Sequence, residues 1–128
     1  DLLRQNFCPI HSFVLDRTMI SAQHLFFEPL MNRNEDYDFL IRICAQCHSD
    51  FSLAKTYIGT YFLKNDGSNT ILTESSLQPH QVSAWHDAES FIEGRRRTTP
   101  VSADVQRELG LRPVPHLTVR DLLNQRRA

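Results

Sequence analysis

Asn34-Glu35-Asp36-Tyr37-Asp38-Phe39-Leu40-Ile41-Arg42-Ile43-Cys44-Ala45-Gln46-Cys47-His48 is the stretch from which the fold is read. Tyr37, Leu40, Ile41, Cys44 and Cys47 stand at i, i+3, i+4, i+7 and i+10, one stripe at a period of 3.6, so the spacing predicts an amphipathic helix. Asn34 suits its N-cap, because a side-chain oxygen there can accept from an orphan N–H of the first turn. Glu35, Asp36 and Asp38 place negative charge at the positive end of the helix dipole. Asp38 and Arg42, four apart, are expected to pair, worth about 0.3–0.5 kcal/mol if exposed. Acids in a first turn are usually helix stabilisers only, so a functional role for them needs support from elsewhere in the chain.

The tail of the same stretch offers different chemistry. Cys44-Ala45-Gln46-Cys47-His48 has the attachment pattern of a c-type haem. A sixth ligand would have to come from Met19, Met31, His80, His86 or His116, and no Met lies downstream of the motif. A zinc site could draw on Cys8, Cys44, Cys47 and His48 or His11, but such knuckles lie in turns and need a second pair of ligands. The helical stripe accounts for Cys44 and Cys47 more simply, as small core residues.

The chain of 128 residues, 41% hydrophobic and 9% aromatic, suits one domain with a core. No run of eighteen apolar residues is present, which argues against a membrane span. The first residues are Asp1-Leu2-Leu3-Arg4, with neither a Met nor a secretory signal, so a fragment or isolated domain is expected. Three cysteines without a regular framework favour a reducing, cytoplasmic setting over a disulfide scaffold. Charge is uneven: residues 1–93 hold six Lys/Arg against twelve Asp/Glu, and residues 94–128 hold eight against three. The tail is basic and the body acidic.

Working outward, Ile10 to Arg17 reads as a short buried strand and Thr18 to His24 as a short helix capped by Asp16 or Thr18. Leu25 to Leu30 is an aromatic loop closed by Pro29. Phe51-Ser52-Leu53 is expected to be extended, Thr56 to Leu63 a strand, and Lys64 to Thr70 a polar loop. A helix is predicted over Pro79 to Glu93, stopped by Gly94. Ser102 to Leu109 is a further helix closed by Gly110, and Pro113 and Pro115 mark an extended spacer. Thr118 to Arg127 is a last helix whose Thr118 and Asp121 form a short capping box.

Three pieces in this order carry a family likeness: Pro9-Ile10-His11-Ser12-Phe13-Val14-Leu15-Asp16-Arg17, then Phe27-Glu28-Pro29-Leu30, then Glu35-Asp36-Tyr37-Asp38-Phe39-Leu40-Ile41-Arg42. Together they resemble the C-terminal, acceptor-side half of a family 2 glycosyltransferase of the GT-A fold, over roughly residues 6–75. The resemblance implies inverting transfer from a nucleotide-sugar to a sugar or lipid-linked acceptor, with Asp36 as general base and Glu35 orienting it or meeting the acceptor. By the same likeness His11 and Ser12 border the acceptor cleft, with Asp38 and Arg42 beside it, Arg42 serving chiefly to tie the helix through Asp38. The nucleotide-binding half and its Asp-x-Asp are missing, so the Mg²⁺ or Mn²⁺ of such enzymes is expected only in a full-length protein, and this chain alone is expected to be inactive. Where many relatives place an Arg and a His, this chain has Lys64, Asn65 and Asp66.

The expectation is therefore an α/β or α+β fragment: a small sheet with packed helices over residues 1–78, and a helical, basic extension over 79–128. The address implied is the cytoplasm, with the inner membrane surface as an alternative. The rival reading is a non-catalytic binding module. Arg95-Arg96-Arg97 and Arg126-Arg127 could meet phosphate, stay solvated or dock on the acidic body, yet residues 94–128 lack Phe, Tyr and Trp for stacking on bases, so no nucleic-acid partner is expected.

Overall fold

The computed structural model describes residues 2–53, 55–57, 59–60 and 79–125. Within them the chain forms four α-helices: α1 Glu35–Gln46, α2 Pro79–Thr98, α3 Ala103–Glu108 and α4 Val119–Gln125. Two single 3-10 turns, Ile10–Ser12 and Ala22–His24, precede α1.

The expected sheet is overturned: no strand occurs among the described residues, whose one β-type pairing is an isolated antiparallel bridge between Pro100 and Thr118. The segment predicted as a first strand begins with a turn, because Ser12 donates to the Pro9 carbonyl through both its N–H (2.8 Å) and its hydroxyl (2.7 Å). Beyond it Phe13 is extended and packs on core residues together with Leu15, while Val14 is 98% exposed. Those side chains alternate as a strand's would, but no strand among the described residues pairs with their backbone. Asp16 then accepts from the Thr18 N–H (2.9 Å) and hydroxyl (2.6 Å), a local turn in place of a helix cap, and only Ala22–His24 of the predicted Thr18–His24 helix winds. Asp50 fixes another such turn by accepting from Ser52 N–H at 2.7 Å, where an extended piece was expected. Of the second predicted strand, Thr56, Tyr57, Gly59 and Thr60 are described and belong to no strand; its remaining residues, and the loop Lys64 to Thr70, lie outside the described residues.

Helix α1 forms where its period predicts, but it is buried on two sides. Tyr37, Ile41 and Ala45 enter a main core with Ala88 and Ile92 of α2, Val105 of α3 and Leu122 of α4. Phe39 and Ile43 enter a second core with Ile20, against which Phe13, Leu15, Leu25 and Cys47 pack. Each such side chain taken fully from water contributes about 1.5–3 kcal/mol, so α1 is the element around which the others assemble. Asn34 does not cap with its side chain: it adopts the left-handed region (φ 58°), which Asn tolerates, and its carbonyl accepts from Asp38 N–H.

Helix α2 runs past Gly94 to Thr98. A mid-helix glycine costs about 1 kcal/mol relative to alanine. The three arginines that follow it make contacts that the helix extension alone allows, described below. After α2 the chain is stitched back twice: Val101 N–H donates to Leu117 O (2.7 Å) and Val119 N–H to Thr99 O (3.0 Å). Ser102 N–H donates to Ala45 O at the end of α1, and its hydroxyl accepts from Val105 N–H as the predicted N-cap of α3. Gln106, 2% exposed, donates to the Val101 and Val114 carbonyls and accepts from Val114 N–H, so its buried amide is fully satisfied and holds the proline-flanked spacer down. Thr118 and Asp121 bond reciprocally, which is the predicted capping box of α4.

Candidate functional site

The three acids at the start of α1 have different surroundings. Asp38 is 0% exposed, and both its oxygens are taken: Oδ2 by Arg42 Nε at 3.0 Å, Oδ1 by Arg95 Nε of α2 at 2.5 Å. Arg42, 5% exposed, spends its other nitrogens on the carbonyls of His24 (2.9 Å) and Phe26 (2.5 Å), and its guanidinium lies 4.1 Å from the centroid of the Phe26 ring. Arg95 reaches with its free arm to Glu28 Oε2 at 3.3 Å, and Glu28 Oε1 accepts from Leu30 N–H. A carboxylate without water must be paired and hydrogen-bonded, and here two guanidiniums meet that demand. Asp38 and Arg42 are thus scaffold, fastening the aromatic loop and α2 to the first turn of α1; their hydrogen-bonding groups face protein.

Asp36 is different. It is half-buried, none of the salt bridges among the described residues includes it, and its carboxylate accepts from Tyr37 N–H at 2.7 Å. Burial pushes the carboxyl above its ordinary value; the Tyr37 bond pulls the other way, and the neighbouring Glu35 charge adds to the rise. Such a group takes a proton more readily than a solvated aspartate. Glu35, beside it, is half-buried. Tyr37 points away into the core, where its hydroxyl accepts from Arg96 Nη2 at 2.8 Å and burial raises its own pKa. His11 and Ser12 are exposed side chains of the Ile10–Ser12 turn, and the Ser12 hydroxyl donates to the carbonyl of Pro9, which precedes that turn.

The Cys–His tail of α1 builds no metal centre among the described residues: no group of three or more His, Cys, Asp or Glu side chains is placed to hold an ion. Burial raises the thiols of Cys8, Cys44 and Cys47, the direction opposite to thiolate formation. His48 pairs at the surface with Glu108 (2.8 Å). A cavity of about 620 Å³ opens at this end of α1, lined by Phe7, Cys44, Cys47, His48 and Phe51 among others, and neither Glu35 nor Asp36 lines it.

Sequence reasoning left the basic run as solvated charges or as docking on the acidic body, and did not place Arg95 and Arg96 in this region. Arg96 donates to the carbonyls of Leu3 (3.1 Å) and Arg4 (2.6 Å) as well as to Tyr37, and Arg97 pairs with Glu93. The signal was the basic run itself beside an acidic body. Two of its three charges are spent inside the molecule, which removes them from any phosphate-binding surface.

No helix among the described residues is long and apolar enough to cross a membrane. Comparison with protein-family models, curated proteins and solved structures finds no match to this chain.

Proposed function

We propose that the chain is the acceptor-side segment of an inverting, family 2-like glycosyltransferase, with Asp36 as general base. The observation that carries the proposal is the division of labour in the acid cluster: Asp38 is consumed by two guanidiniums, whereas Asp36 is half-buried, unpaired with any described cation and raised in pKa. In the reaction the acceptor oxygen attacks the anomeric carbon, the bond from that carbon to the nucleoside diphosphate breaks, and the acceptor proton passes to Asp36. In the same proposal Glu35 orients the acceptor or the base. The divalent cation implied by the resemblance finds no fitting group of ligands among the described residues, so no step is routed through it. A donor-binding partner segment, a sugar or lipid-linked acceptor, and a cytoplasmic or membrane-surface address belong to the same proposal.

The test is Asp36→Asn in the full-length protein, reading nucleoside diphosphate release from a panel of UDP-, GDP- and dTDP-sugars with added acceptor. Loss of transfer by a variant that melts no lower than the wild type supports the role; unchanged transfer refutes it. A second reading, a non-catalytic interaction module, draws on exposed apolar side chains such as Met19 (72%), Leu30 (81%) and Tyr57 (80%). It predicts that Asp36→Asn changes nothing.

A further inference from the structure

Helix α2 does not simply cover the core; through a single side chain it reaches the helical turn that carries the candidate base. Arg95 Nε lies 2.5 Å from Asp38 Oδ1, and Asp38 sits two residues beyond Asp36 in the same helical turn. Arg95 Nη2 lies 3.3 Å from Glu28 Oε2, and Glu28 belongs to the aromatic loop whose carbonyls at His24 and Phe26 are held by Arg42. One guanidinium therefore joins three pieces of chain, the aromatic loop, the start of α1 and the end of α2, the last more than fifty residues from the other two. We infer that Arg95 is a positioning residue for Asp36, setting where the first turn of α1 presents that carboxylate.

Resting on the proposed role of Asp36, the inference explains why α2 continues through Gly94: a helix ending there would not carry Arg95 to Asp38. It also gives the basic run a purpose in place of phosphate binding. Because the planar fork of arginine bonds two carboxylates at once, lysine keeps the charge but not the geometry. Displacement of a catalytic group by about 1 Å can cost about 10²-fold in rate.

The test needs no identified sugar. In the 128-residue chain, the Asp36 carboxyl is titrated by ¹³C NMR in the wild type, in Arg95→Lys and in Glu28→Ala. The charge retained in Arg95→Lys leaves position as the variable. If the clamp sets the burial of Asp36, its pKa falls toward the ordinary carboxylate value in Arg95→Lys, and falls less in Glu28→Ala, which keeps both cations on Asp38. A wild-type titration of Asp36 in whichever variant stays folded overturns the inference. Asp36→Asn in the full-length protein separates the two failures: unchanged transfer there removes the catalytic role, whereas lost transfer with an unmoved Asp36 titration in Arg95→Lys removes only the positioning role.

Discussion

Replacing Asp38 with alanine strips one buried carboxylate from between two guanidiniums. Breaking a buried pair by removing one partner costs about 3–5 kcal/mol, because the remaining charge is left uncompensated. Two features place Asp38→Ala at the lower end. Arg42 keeps its bonds to the His24 and Phe26 carbonyls and its place over the Phe26 ring, and Arg95, 21% exposed, keeps Glu28 and some water. A loss of about 3 kcal/mol corresponds to a fall of about 10 °C in thermal midpoint for a domain of this size. Circular dichroism melts of the chain at pH 7 measure it, and urea titration supplies the free energy. The double variant Asp38→Ala with Arg42→Met is expected to lose less than the two single losses combined, since it removes charge along with countercharge. A midpoint for Asp38→Ala within about 2 °C of the wild type would refute the buried-network reasoning.

Asp36→Asn carries the opposite sign of stability change. The folded pKa of Asp36 lies above its ordinary value of 3.8, so its favourable contribution is present below that value and is lost as pH rises through the raised folded pKa. At pH 7 the Asn variant is therefore expected to melt higher than the wild type, with the difference shrinking as pH falls toward 3.8, as parallel melts over pH 3 to 7 will show. Gly94→Ala is expected to stabilise by about 0.5–1 kcal/mol, because the glycine is helical and an added Cβ meets no atom within 4 Å. A destabilised Gly94→Ala in denaturant titration would mean that α2 ends at the glycine after all.

What the sequence disclosed and what it withheld follow from the range of the interactions. The 3.6 period of Tyr37, Leu40 and Ile41, the Ser102 cap and the Thr118–Asp121 box are local, and each stands in the structure as read. The strand over Ile10 to Arg17 failed because a short apolar run says only that side chains are buried, whereas a strand needs a partner elsewhere to take its backbone hydrogen bonds. Part of that backbone is satisfied locally instead, Ser12 N–H donating to the Pro9 carbonyl and the Asp16 carbonyl accepting from Met19 N–H. The burial of Phe39 and Ile43 lay outside the single predicted stripe, since one helix period cannot announce a second layer packed on its other side. Gly94 misled for a related reason: its cost as a helix residue is local, while Arg95 and Arg96 make their contacts with residues more than fifty positions away. In the candidate site, the spacing of Asp38 and Arg42 foretold their pair, but nothing in the spacing foretold that Arg95 would complete it, while Asp36, like Glu35, has no salt bridge among the described residues.

The distinction between Asp36 and its neighbours is the centre of the account, and the carboxyl titration of Asp36 in the wild-type chain tests it most directly. Followed by ¹³C NMR alongside Asp16 and Asp121, whose hydrogen bonds from Thr18 and Thr118 hold them below 3.8, Asp36 is predicted to titrate above that value. A midpoint for Asp36 at or below 3.8 would contradict the account and return the acidic start of α1 to helix stabilisation alone.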